Sequence, residues 1–391
     1  EDGSIIVKRM PHSGALHDPN CISFEPPAEL SGLGEVAGAA IKEDPETGTT
    51  ALRLAFALSR GGGRAAPLGS GAETDSVKAD TRKLTMRGTL HYLWEEAGFN
   101  RLNPRLVGRR GWGTIRTHLV NVAKRTEAKN ASLDDNLFVP EVFNSERKAE
   151  IAKRRLAKLA PLIRPAAGTR PLMLVVAEVK ELAPARYGDK IIAKHLPDMH
   201  FTMAEDLSQR LRRRWEAELA LWEVLDDSHL VMIATFGMTP AGTASLEEVA
   251  LMLTNREWLP IENLHDKELL DALIGEERSF VRGLRYNLPS SRPLATAVLT
   301  DAHPTPVAMY VIPPTATPDY GAALADLVED SQYVPWYWNA GTEIMPEVPP
   351  IYGYQPMPFP DFAAEAPEDE HEGLEPEEAD EEDFEEAGAE S

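Results

Sequence analysis

Apolar positions recur along the chain with two different periods, which together predict an α+β protein. In 51–59 every second residue is apolar, the period of a strand with one buried face. Alternation or short apolar runs predict strands at 5–7, 51–59, 137–139, 171–181, 189–195, 199–203, 229–236, 295–299 and 307–312. Apolar residues three or four positions apart predict helices at 85–97, 114–124, 145–159, 205–225, 266–274 and 320–328. The segment 245–254 fits either a capped helix or a strand.

The order of these elements predicts a multidomain chain. Residues 1–81 hold a strand region, a partial zinc knuckle and a Gly-rich loop. Two helices joined by a Pro-containing turn predict a basic helix-turn-helix or winged-helix-like unit at 82–160. Strands joined by short turns predict an antiparallel β unit with a long helix at 161–258. We expect a nuclease-like unit at 259–345 and a Pro-rich, acidic tail at 346–391.

Charge is distributed unevenly between the tail and the rest of the chain. The net charge of the 391 residues is −23, and residues 361–391 hold sixteen acidic residues with no Lys or Arg. Residues 1–360 are therefore near balance, at about −7. The tail cannot bury apolar surface, so we expect it to be disordered. It either solubilises the chain or competes with nucleic acid for basic patches.

The sequence predicts a cytoplasmic protein that makes no contact with a membrane. Cys21 is the only cysteine, which excludes an internal disulfide and indicates a reducing compartment. No apolar run reaches the ~18–20 residues that span a bilayer, and no charged-then-apolar leader is present.

His17 and Cys21 are separated by three residues, the spacing of half a zinc site. Zinc takes four N or S ligands, and with His12 this chain offers three. One interpretation is a zinc knuckle whose remaining ligands precede Glu1. The alternative is a free buried cysteine beside a turn histidine.

Basic residues dominate 82–125, where only Glu95 and Glu96 oppose them. Trp94 and Trp112 lie among the basic residues, so the segment could contact phosphates. An ordinary helical domain with both tryptophans in its core explains the pattern equally well. The nucleic-acid-binding candidates here are Arg101, Arg105, Arg109 and Arg110.

The segment 259–312 has the helix, basic loop and two strands of a restriction-endonuclease-like nuclease. Such an enzyme needs several carboxylates on Mg²⁺ and a lysine that poises the attacking water. Thr296 stands where the strand Asp is expected. Tyr310 and Ile312 stand where the acid and the lysine are expected. We therefore expect a degenerate, non-catalytic unit.

An active nuclease would need an unusual set of acids, namely Asp266 and Asp301 with Glu262. Glu178 and Lys180 form an isolated E-x-K on a predicted strand, and alternation predicts that both point outward into solvent.

The loop after the 266–274 helix carries arginines that could bind a nucleic-acid backbone without hydrolysis. The candidates are Arg282, Arg285 and Arg292, with Arg278 and Tyr286 nearby. The alternative is that these arginines solvate an ordinary loop.

Several sequence blocks together resemble an uncharacterised bacterial family of unknown function. They are EPP-x-ELSGLG, R-G-T-L-H-Y-L-W-E-E-A-G-F-N, EVKE-x-x-PARYG-x-KI, KHLPD and F-V-x-GLRYNLPSSRPLA, and the resemblance covers about residues 5–347. It implies an origin on plasmids and integrative conjugative elements of proteobacteria, and a C-x-C upstream of His17 and Cys21 that would complete a zinc site. It implies no catalytic residue.

Three hypotheses follow. The first is a non-catalytic protein that binds nucleic acid, with DNA or other mobile-element proteins as partners. The second is a Mg²⁺-dependent nuclease with the unusual acids. The third is a scaffold that binds only proteins.

Overall fold

The structure is a computed structural model that describes residues 14–19, 21, 23–60, 81–186, 188–239 and 241–362. Its strands are β1 (Ile41–Glu43), β2 (Thr50–Leu52), β3 (Arg101–Leu102), β4 (Thr126–Ala128), β5 (Ala131–Ser132), β6 (Leu137–Phe138), β7 (Met173–Pro184), β8 (Asp189–Ala193), β9 (His200–Thr202), β10 (His229–Met238), β11 (Ala244–Thr254), β12 (Phe280–Arg282), β13 (Ala297–Leu299), β14 (Val307–Ile312) and β15 (Val334–Asn339). Its helices are α1 (Leu33–Val36), α2 (Met86–Glu96), α3 (Trp112–Lys124), α4 (Lys148–Lys158), α5 (Ala160–Ile163), α6 (Glu205–Arg214), α7 (Glu216–Val224), α8 (Leu264–Gly275) and α9 (Pro318–Glu329).

Five strands between residues 173 and 254 close into a small barrel. β8 pairs antiparallel with β7 and β9, β10 pairs antiparallel with β7 and β11, and β9 and β11 are parallel neighbours. The ring of strands is therefore β7-β8-β9-β11-β10, and α6 and α7 connect β9 to β10. This is the connectivity of the five-stranded OB-fold barrel.

The barrel closes because β7 bends. Residues 173–178 of β7 pair with β10, and residues 179–184 pair with β8. The register shifts between Val179 and Glu181, which marks a β-bulge. A bulge increases the local twist of its strand, so one strand can serve both sides of the barrel.

The last elements form a mixed sheet in the order β15-β14-β13-β12-β3. β12, β13 and β14 are an antiparallel meander, and β15 lies parallel to β14 after the crossover through α9. Met309 of β14 shares its face of the sheet with Trp338 of β15, and His265 of α8 lies edge-on against Trp338 with ring centroids 5.2 Å apart. Tyr310, which follows Met309, shares a buried cluster with Leu324 of α9. The sheet is therefore covered by α8 on one face and by α9 on the other.

The segment 82–160 contributes strands to three sheets. β3 pairs with β12, and β6 pairs with β7. β4 pairs with β2 on one side and with β5 on the other, in a small sheet ordered β1-β2-β4-β5. One continuous core therefore connects the three sheets.

The helices predicted at 85–97 and 114–124 are confirmed as α2 and α3. Thr85 caps α2, because its side chain accepts a hydrogen bond from the Gly88 N–H. Gly98 follows the helix with φ +76°, a conformation that glycine adopts without strain. Trp94 and Trp112 are buried and donate their indole N–H groups to backbone carbonyls, so both belong to the core.

The single long helix predicted at 205–225 is wrong. Trp215 separates α6 from α7 because its backbone leaves the helical range while its indole is buried against the barrel. The ambiguous segment 245–254 is the strand β11, paired along its length with β10. The patterns did not predict β15, whose aromatic residues lie in the core.

The strand predicted at 5–7, His12, the Gly-rich loop at 61–71 and the tail after Phe362 lie outside the described residues. Among the residues described, no helix combines the length and apolar character needed to cross a membrane.

Candidate functional site

Three arginines beside the C-terminal sheet form ion pairs that are buried or half-buried. Arg278 Nη2 lies 2.8 Å from Asp301, and Arg285 Nε lies 2.7 Å from Glu262. Arg282 Nη2 lies 2.6 Å from Asp266, and the Arg282 side chain is 2% exposed. Each acid predicted for an active nuclease is therefore paired with a guanidinium.

Arg282 connects several elements through its guanidinium. Nε donates to the carbonyl of Pro260, and Nη1 donates to the carbonyls of Gly283 and Thr296. With the bond to Asp266, the side chain joins the end of β12, the start of β13 and the beginning of α8. A buried carboxylate needs a nearby positive charge, and here a guanidinium supplies it.

The alternation along β14 decides which side chains face Asp266. Val311 borders the same cavity as Asp266, whereas Tyr310 and Ile312 lie on the α9 face. Thr296 uses its Oγ1 to accept a hydrogen bond from the Val311 N–H, 3.3 Å away. The side chains opposite Asp266 are therefore neutral. Within the described residues, no three His, Cys, Asp or Glu side chains are grouped so that they could hold a metal ion.

A cavity of about 970 Å³ opens between α7 and these ion pairs. Arg285, Glu262, Asp266 and His91 line one end of it. His91 Nδ1 accepts a hydrogen bond from the Tyr286 N–H at 2.9 Å, which places the ring proton on Nε2. Sequence reasoning missed His91, because nothing in the pattern of α2 distinguishes it from its buried neighbours.

Burial and charge perturb the acids and bases at this end of the cavity. Burial lowers the pKa of His91 to about 3, and the neighbouring arginines contribute in the same direction. Burial opposes ionisation of Glu262, but the guanidiniums of Arg285 and Arg282 outweigh it and lower the pKa to about 2. Burial raises the pKa of Asp266 above its usual value despite Arg282.

The basic candidates of the helical segment divide into bound and exposed side chains. Arg110 donates to the carbonyls of Phe99 and Glu257. Burial lowers its pKa to about 10. Arg101 donates to the carbonyl of Phe24 and pairs with Glu25.

Three of the predicted nucleic-acid contacts are exposed. They are Arg105, Arg109 and Arg292.

His17 and Cys21 lie next to each other, with 3.8 Å between Cys21 Sγ and His17 Nδ1. Cys21 Sγ also accepts a hydrogen bond from the Ser23 N–H. Both side chains are half-buried. The zinc knuckle stays a prediction.

The outer surface of β8 and β9 carries basic side chains that sequence reasoning did not single out. Ile191 and Phe201 point into the barrel and are fully buried. Lys190 therefore points outward on β8, and His200 on β9. Lys180, exposed at the β7 bulge, lies opposite Ile192 and Ala193 of β8. We call Lys180, Lys190, Lys194 and His200 the barrel strip.

Glu178 was expected to point into solvent, and this prediction is wrong. Its side chain is 4% exposed and accepts from Lys194 Nζ at 2.5 Å and His229 Nδ1 at 2.6 Å. Burial opposes ionisation of Glu178, but these two hydrogen bonds lower its pKa below the usual value. The ring of His229 stacks on Trp258 at 3.8 Å, so aromatic side chains cover this part of the barrel.

α4 extends the basic surface next to the barrel strip. Arg155 forms a two-pronged ion pair with Asp198, at 2.7 and 2.9 Å, in the loop between β8 and β9. Lys148 and Lys153 are exposed on the same helix. The Phe143 backbone N–H lies 3.5 Å from His195 Nδ1. The side chain of Phe143 is 39% exposed.

A family model described as "Protein of unknown function (DUF1173)" matches residues 1–341. The chain belongs to this family. The matched range ends just after β15, so it includes all three sheets. Neither the curated proteins nor the solved structures include a match to the chain.

Proposed function

We propose that this DUF1173 protein binds single-stranded nucleic acid along the barrel strip and does not cleave it. One observation carries the proposal. The surface formed by β8 and β9 presents Lys190 and His200 outward, on the strands that OB-fold barrels use to bind oligonucleotides.

Charge and aromatic exposure support a polyanionic, base-bearing ligand. Lys180 and Lys190 make no ion pair among the described residues, so both can contact phosphates, although the exposed Glu181 is a neighbouring carboxylate on β7. Lys148 and Lys153 of α4 lengthen the positive surface. The half-exposed ring of Phe143 offers a platform on which one base can stack.

In this proposal the C-terminal unit is a degenerate restriction-endonuclease-like fold. Its order of a helix, three strands, a crossover helix and a parallel fourth strand agrees with that interpretation. The pairing of Asp266 with Arg282 favours loss of catalysis, because Mg²⁺ would have to displace a buried guanidinium.

The family resemblance suggests the biological process in which this binding takes part. An origin on plasmids and integrative conjugative elements supports a role in DNA transfer or maintenance, with other mobile-element proteins as further partners. Zinc binding by His17 and Cys21 with upstream cysteines also remains a proposal.

Fluorescence anisotropy with a labelled oligonucleotide tests the proposal. We expect binding by the chain, and affinity reduced about tenfold or more in the double variant Lys180→Ala/Lys190→Ala. The double variant Arg105→Ala/Arg109→Ala is the matched control, since it removes two exposed cations elsewhere. A chain ending at Phe362 is titrated in parallel, so that competition by the acidic tail cannot hide binding.

Three results would contradict the proposal. Loss of binding only in the Arg105/Arg109 variant would move the interface to the helical segment. Mg²⁺-dependent cleavage that is lost in Asp266→Asn would support the nuclease. If the shortened chain does not bind nucleic acid at low salt, the remaining hypothesis is a scaffold that binds only proteins.

A further inference from the structure

The cavity beside the Asp266–Arg282 pair has walls of two kinds. The apolar wall includes Ala220, Leu221 and Val224 of α7, together with Leu294 and Pro313. The far end is polar and contains the arginines and acids described above. A volume of about 970 Å³ falls in the range of small-molecule pockets.

Hydrogen-bond donors without partners border this cavity. His91 is 4% exposed, its Nδ1 is occupied by the Tyr286 N–H, and its Nε2–H has no partner among the described residues. Trp215 is 3% exposed, and its indole N–H likewise has no partner in that part of the chain. The Trp215 N–H is buried and unpaired, which costs free energy, so a ligand that supplies an acceptor would be stabilised here.

The N-termini of two twelve-residue helices border the same space. Asn263 and Leu264 at the start of α8 line the cavity, as do Thr315 and Thr317 before α9. The N-terminal end of a helix carries a partial positive charge that favours anions. Both helices therefore add to the preference set by the unpaired donors.

The ionisable groups leave room for a further negative charge. The guanidinium groups of Arg87, Arg282 and Arg285 line the cavity together with the carboxyl groups of Glu262, Asp266 and Glu218. Burial raises the pKa of Glu218, as it does that of Asp266, so two of the three acids ionise less readily than usual. The positive charge of the three arginines therefore exceeds the negative charge of the acids that line the cavity with them.

We propose that this cavity is a binding site for a small amphipathic anion, with a phosphate or carboxylate head at the His91 end and an apolar body against α7. The site is separate from the barrel strip and does not depend on nucleic-acid binding. The head accepts hydrogen bonds from His91 Nε2–H and the helix N-termini. The apolar body covers Leu221 and Val224.

Isothermal titration calorimetry on the intact chain tests the site with four probes: octyl phosphate, octanoate, octanol and inorganic phosphate. At least one of the two amphipathic anions should bind about tenfold or more tightly than both octanol and inorganic phosphate. The preferred anion identifies the head. Equal binding of octanol, tighter binding of inorganic phosphate, or no binding of either amphipathic anion would overturn the proposal.

Variants locate the binding. Ala220→Trp fills the cavity from the exposed side of α7 and should abolish binding, whereas Glu223→Trp, at an exposed position that does not line the cavity, should leave it unchanged. His91→Gln keeps an N–H donor and should bind, whereas His91→Leu should lose about tenfold or more. Binding that survives Ala220→Trp would place the ligand elsewhere, even if the His91 variants fail to fold.

Discussion

Asp266 and Arg282 depend on each other, because each is a buried charge without another strong counter-ion at the same distance. Arg282→Met leaves the Asp266 carboxyl buried beside neutral Thr296 and Val311, and we expect it to reduce the free energy of unfolding by about 3–5 kcal/mol. The double variant Arg282→Met/Asp266→Leu should recover much of the loss. Urea denaturation of the single and double variants measures both effects. Additive losses would show that the two side chains do not interact.

Glu95 makes stability depend on pH. Burial raises its pKa to about 7, although Tyr286 donates a hydrogen bond to it. Because the pKa is raised in the folded state, its stabilising contribution is present below about pH 4.5 and is lost as the pH rises to 7.

Glu95→Gln should therefore stabilise the protein at pH 8, on the order of 2 kcal/mol relative to its effect at pH 4.5. Glu127→Gln is the control, since Glu127 is exposed on β4, whereas the charge of Glu96 helps to raise the pKa of Glu95. Urea denaturation at the two pH values gives the difference. The same effect at both values would mean that Glu95 titrates normally.

The residue-level errors of the sequence predictions have one physical origin. Glu178 was placed outward because strand alternation describes a sheet with one buried face, but Trp258 and His229 cover the outside of β7. Arg282 was assigned to a basic loop, and its partner Asp266 lies on the preceding helix. Pairing between separate elements leaves no mark on local periodicity.

At the level of elements, α9 depends on its N-cap. Thr317 Oγ1 accepts a hydrogen bond from the Tyr320 N–H at 3.3 Å. Thr317→Ala should lower the free energy of unfolding by about 1 kcal/mol, because that N–H has no intrahelical acceptor. Thr315→Ala, two residues earlier and exposed, should change it by less than about 0.5 kcal/mol. Equal losses in chemical denaturation would show that the cap contributes nothing.

Local elements were predictable where one face is buried, as in α3 and β8. The closure of the barrel could not be predicted from local patterns. It requires β7 to pair with β10 and β9 to pair with β11, and these strands are far apart in the sequence. The short β9 shares only two residue pairs with β11. Non-local pairing of this kind follows from packing of the whole core.

For the molecule as a whole, the net charge of −23 gives no sign of the basic surface, because residues 1–360 are close to neutral. Most of the imbalance belongs to residues 361–391, while both the barrel strip and α4 carry exposed lysines. The sequence showed the acidic tail, but the strip exists only once β8 and β9 pair. The proposed nucleic-acid interface could therefore be identified only from the structure.

The salt dependence of single-strand binding tests the barrel strip most directly. Each phosphate contact contributes about 0.7 to the slope of log K against log salt concentration. The variant Lys180→Ala/Lys190→Ala should therefore bind with a slope shallower by about 1.4, and Arg105→Ala/Arg109→Ala should keep the slope of the unmodified chain. An unchanged slope in the lysine variant, together with a shallower one in the arginine variant, would contradict binding along β8 and β9.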